Sequence, residues 1–95
     1  MGDKYILKDR QAVPASLEEW AVWFETADRI VAKDEVGDAK VSTVFLGLDH
    51  NWGDGPPVLF ETMIFGGEHD EYQDRCSTWD EAEQMHAKAV ALATQ

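Results

Sequence analysis

The sequence has one cysteine, Cys76, so no intramolecular disulfide can form and no set of thiols can hold a structural metal. Stability therefore has to come from an apolar core, and a reducing, cytoplasmic setting is expected. No apolar run approaches the roughly 18–20 residues of a membrane span, and Met1 to Tyr5 lacks the apolar stretch of a signal peptide. Basic residues are also scarce: 8 Lys and Arg stand against 19 Asp and Glu, a formal net charge of -11 over 95 residues. Such a field repels nucleic acid and anionic membranes, so neither is expected as a direct partner, and it attracts basic protein surfaces. The same acidity also serves solubility alone, and composition leaves the two roles open.

What the chain does contain suits a single domain, residues 1–95. Its apolar fraction of 44% is close to the globular average, and four Trp among its aromatics bring large burial to a short chain. Lys4 to Lys8 reads as a short edge strand, charged at both ends. Ser16 followed three residues later by Glu19 marks a helix start, and Leu17, Trp20, Phe24, Ala27 and Val31 recur at helical spacing, which predicts a helix from Leu17 to about Ala32. Lys33 to Asp38 reads as a loop.

Lys40 to Leu48 and Pro57 to Phe65 are β-branched and aromatic runs that should pair as an antiparallel hairpin. Tyr72 to Cys76 has room for one more strand beside the second of them. Thr78 and Glu81 repeat the capping signature, and a last helix is expected to about Thr94 with Ala82, Met85, His86, Ala89, Val90 and Ala93 inward. The expected fold class is α+β, in the order β-α-β-β-β-α, an antiparallel sheet with two helices packed on one face.

The wording of the central hairpin is distinctive: Val41 to Asn51, then Gly55 to Gly67. Together with Trp23-Phe24-Glu25-Thr26-Ala27 and Ser77-Thr78-Trp79-Asp80-Glu81-Ala82, it resembles a family of small acidic hypothetical proteins encoded by bacteriophages and prophages. The resemblance covers most of the chain from the first helix onward. It implies a viral setting inside a host cell, where small proteins of this size disarm defences or alter transcription. It carries over no functional residues.

Two stretches stand out as contact candidates. From Glu68 to Glu83 seven carboxylates face one cation, Arg75. Glu68, Asp70, Glu71 and Asp74 could imitate the phosphate track of duplex DNA and dock on a Lys/Arg surface, whereas Asp80 and Glu81 have a local role at the positive end of a helix dipole. The loop from Asp49 to Pro56 presents His50, Asn51 and Trp52; Trp52 is either an exposed aromatic anchor or a plug folded over the end of the core.

Three histidines, His50, His69 and His86, lack the spacing of a metal set, and His86 falls on the inner stripe of its helix. Glu61 lies inside a strand and is expected to bond Arg75 across the sheet, with acid–base pairing to Asp49 or Asp74 as the other reading. Cys76 is surrounded by carboxylates that raise its pKa, so it is not read as a nucleophile. No catalytic set and no cofactor motif is recognised. The leading expectation is a non-enzymatic protein that binds and modulates a host defence or nucleic-acid-handling protein through its acidic surface and the Trp52 loop. The alternative is a small-ligand-binding or self-associating module, a homodimer included, that uses an open sheet face on which Val44, Phe45, Leu46, Phe60 and Ile64 leave apolar surface.

Overall fold

A computed structural model describes residues 3–51 and 53–95. The chain runs β1 (Tyr5–Lys8), β2 (Gln11–Pro14), α1 (Leu17–Thr26), β3 (Ile30–Val36), β4 (Ala39–Phe45), β5 (Phe60–Phe65), β6 (Gln73–Cys76) and α2 (Trp79–Ala93). It is an α+β fold in the order β-β-α-β-β-β-β-α. Strands β3 to β6 form an antiparallel sheet in sequence order, and β1 and β2 form a separate hairpin. The hairpin joins the sheet through the backbone, where Tyr5 N–H donates to the Gly47 carbonyl at 2.9 Å and Asp49 N–H to that of Asp3 at 3.0 Å.

The hairpin of β4 and β5, the return of β6 and the last helix match the sequence reading. Two elements do not. Helix α1 stops at Thr26, and residues expected to finish it or to form a loop are strand β3. Two forces end the helix there. The Asp28 carboxylate takes the Ile30 N–H at 3.0 Å, and Val36-Gly37-Asp38-Ala39 closes a two-residue hairpin, with Gly37 at φ 58, that zips the β-branched run onto β4. The second correction is β2, which returns from the Asp9-Arg10 turn.

Alternation on β4 and β5 divides the sheet into two faces. Val41, Thr43, Phe45, Phe60, Thr62 and Ile64 are fully buried under α2, which contributes Ala82, Met85, His86 and Ala89. Helix α1 has no fully buried residue. It meets the same core at one end, where the Trp23 ring stands edge-on to Phe45 with centroids 5.7 Å apart. Three of the apolar residues expected on the open face, Phe45, Phe60 and Ile64, therefore lie on the covered one, because each is in phase with the α2 side of its strand. The open face instead shows Ile30 and Phe65, 47% and 48% exposed, beside half-buried Val44 and Met63.

The local chemistry explains the helix ends. Ser16 Oγ accepts the Glu19 N–H at 3.2 Å. At α2 the capping box is complete, with Thr78 and Glu81 satisfying each other's backbone N–H groups. No helix of the described residues is long and apolar enough to cross a membrane.

Candidate functional site

The sheet brings most of the described contact candidates to two places rather than one, and leaves Asp74 apart from both. Strand β5 separates them; its six residues span about 17 Å. At its C-terminal end lies the acidic loop, and at its N-terminal end the loop from Asp49 to Pro57.

The acidic loop is rigidly built. Glu71 N–H donates to the Ile64 carbonyl at 2.9 Å, Tyr72 N–H to that of His69 at 3.0 Å, and Gly66 N–H to the Asp70 carboxylate at 2.6 Å. Asp70 is thus partly a structural acceptor. Glu68 and Glu71 project into solvent and meet no cation among the described residues. The turn between β3 and β4 abuts this loop and adds Asp38, which the linear charge run did not include. Asp74 lies away from the loop, on the edge strand β6, where its carboxylate accepts the Arg75 N–H at 2.9 Å.

At the other end, Asn51 and Asp49 hold their own loop together. Asn51 Nδ2 donates to the Pro56 carbonyl at 2.9 Å and its Oδ1 accepts the Gly53 N–H at 2.9 Å, while Asp49 Oδ1 accepts from Asn51 and Val58 N–H groups. His50 is half-buried and continues the backbone pairing through its N–H to the Val58 carbonyl at 3.0 Å. Trp52, the proposed anchor, lies outside the described residues.

This loop forms one wall of a groove of about 750 Å³, within the range of ligand sites. Pro56, Pro57 and Leu59 line one side, Tyr5 and the tip of the β1–β2 hairpin another, and Ser77 to Asp80 at the start of α2 the third. The Arg10 guanidinium sits 5.3 Å from the centroid of the Trp79 ring, a cation–π contact. Asp9 and Arg10 at the tip both have positive φ, 51 and 67, without glycine at either position. The Trp79 indole N–H is shut from solvent and has no acceptor among the described residues. Sequence reading missed this groove because one side of it belongs to β2 and its turn. The Asp9-Arg10 pair is a weak hairpin signal, lacking the usual Asn-Gly.

Burial is the main cause that raises the Tyr5 phenol above its ordinary value, reinforced by Asp3 and Asp49, so it stays protonated. Cys76, just outside the groove, is pushed up to about 11, first by burial and then by Glu81, with Asp74 adding to them and the hydrogen bond to the Thr78 backbone opposing. Its thiol is a neutral group at physiological pH.

A third cluster runs through the core. Asp34 on β3 accepts from His86 Nε2 at 2.7 Å, His86 Nδ1 meets the Thr43 hydroxyl at 2.7 Å, and Thr43 bonds the Thr62 hydroxyl. The order carboxylate, imidazole, hydroxyl is that of a nucleophile activated by a base. Here the hydroxyl has no exposed area, so no external substrate reaches it. The chain works as a polar layer that separates two apolar clusters, one around Phe45 and Phe60 and the other around Val41 and Ile64. On the open face, Glu61 accepts from Arg75 Nε at 2.9 Å and Gln73 Nε2 at 2.6 Å, the cross-strand pairing expected of it.

No group of three or more His, Cys, Asp or Glu among the described residues is placed to hold a metal ion. Compared with protein-family models, with curated proteins and with solved structures, the chain matches none of them.

Proposed function

We propose that this chain is a phage-type binding protein that docks its acidic end onto the basic surface of a host protein and so inhibits or modulates it. The observation that supports this reading is the acidic loop. Glu68 and Glu71, with Asp38 beside them, are held on a firmly hydrogen-bonded frame, exposed and without a cation among the described residues. Carboxylates fixed in this way lose little conformational freedom on meeting Lys or Arg, and their attraction steers association. A host defence or nucleic-acid-handling protein is the class of partner whose basic surface suits them.

The test is an affinity pull-down from bacterial lysate at low and high salt, with a Glu68→Lys, Glu71→Lys double variant alongside. Asp70 is left in place because it holds Gly66. A nucleic-acid-handling or defence protein retained by the wild type, and lost in the variant and at high salt, is the expected outcome. A specific partner retained equally by both, regardless of salt, sinks the electrostatic mechanism.

A second reading has its own observation. Ile30 and Phe65, with Val44 and Met63 half-buried near them, form an apolar surface on the sheet face that the helices leave open. That surface suits self-association. Sedimentation over a wide range of concentration would reveal a dimer, and Phe65→Lys should abolish it; a monomer at every concentration removes this reading.

A further inference from the structure

We propose that the groove between the β1–β2 hairpin tip, Pro56-Pro57 and the first turn of α2 is a docking site for an arginine of a basic protein partner, presented on an extended, proline-flanked segment. This rests on the reading that the partner is a basic protein, but it concerns the opposite end of the sheet from the acidic loop.

Four observations converge on that occupant. The groove has aromatic walls, Tyr5 and Trp79, and a proline pair, the surface that extended proline-containing segments recognise. Asp9 and Asp80 stand at its rim, in a molecule whose net charge is -11, so a cationic side chain is favoured over an anionic one. The chain already demonstrates the contact with its own residue: Arg10 places its guanidinium 5.3 Å from the Trp79 centroid. Finally, Arg10 is exposed, so its side chain can swing off the ring into solvent while the hairpin that carries it, paired from Lys8 to Gln11, stays in place. Arg10 thus occupies the aromatic platform as an internal stand-in, and a partner's arginine replaces it.

The experiment is a titration of isotope-labelled protein with blocked Pro-Arg-Pro peptide, following the Trp79 indole N–H resonance. Pro-Gln-Pro and Pro-Glu-Pro serve as controls. Binding of the arginine peptide alone, at millimolar or lower concentration, is expected to shift that resonance. Arg10→Ala, at an exposed turn position that leaves the core intact, should bind about two- to fivefold more tightly, because the internal competitor is gone.

No shift with the arginine peptide overturns the proposal. A glutamate peptide that shifts the same resonance, with binding lost in Arg10→Ala, overturns it in favour of an anion site built on Arg10. The Glu68→Lys, Glu71→Lys variant separates this failure from that of the acidic end. It should bind the peptide as the wild type does even though it has lost the host partner. If the peptide fails to bind while the variant still loses the partner, only the groove is refuted.

Discussion

His86 shows how a single side chain sets the terms for its neighbours. An ionised carboxylate can only accept, so Nε2 carries the hydrogen toward Asp34, and Nδ1 is left to Thr43. Each hydroxyl then depends on the next. Removing Thr43 strands both His86 Nδ1 and Thr62, whereas removing Thr62 shortens the chain by one bond. Thr43→Val should therefore cost about 1–3 kcal/mol and Thr62→Val less, read as a shift in the urea midpoint at constant slope. Cys76 gives a prediction with a sign. Its folded pKa of about 11 lies above the ordinary 9.0, so from about pH 9 upward the unfolded chain releases a proton that the folded chain keeps. Stability falls as pH rises through that window, and the raised Tyr5 phenol acts in the same direction. At pH 8 an aromatic disulfide reagent should label Cys76 far more slowly in the folded protein than in urea. The residue-level chemistry was legible where a pattern fixes the partner: the Thr78–Glu81 box, Glu61 with Arg75, and His86 on an inner stripe. The links from His86 to Asp34 and Thr43 were not, because they span 52 and 43 positions and need the strand register.

Elements were legible in proportion to how local their determinants are. Helix α2 and the hairpin of β4 and β5 follow from capping and from β-branched runs. The boundary between α1 and β3 does not, since Ala27 and Val31 continue the helical spacing, and the Asp28 turn together with the Gly37-Asp38 hairpin and its pairing to β4 decides for strand. Gly47 is where the elements meet. Its carbonyl accepts from both Tyr5 N–H and Trp20 Nε1, and at φ 79 a Cβ would stand 2.7 Å from Phe24 Cε1. Gly47→Ala should cost about 2 kcal/mol or more and loosen α1 and the hairpin together, seen as faster amide exchange in both. The opposite effect is expected at the hairpin tip. Asp9→Asn with Arg10→Gly supplies the residues that a left-handed pair prefers and should stabilise the fold by about 1 kcal/mol in thermal unfolding.

Over the whole molecule the charge has two consequences of opposite sign. Self-repulsion of a chain at -11 destabilises the compact state, so salt added from a low starting level should raise the melting temperature. The same salt should weaken the complex with a basic partner, and measuring both on one sample separates the effects. The candidate surfaces were only half legible at this scale. A linear charge run and a loop sequence named residues at both ends of the sheet, but not that β5 holds them apart, nor that β2 completes a groove beside one of them. The order β3-β4-β5-β6 carries a further consequence for synthesis. Each strand pairs with one just made, so the sheet can assemble as it leaves the ribosome. Its cover, α2, is the last of these elements in chain order. Until α2 docks, Val41, Phe45, Phe60 and Ile64 form a bare apolar face, so the cover that makes the sheet safe to expose is also the part of the fold that closes last in chain order.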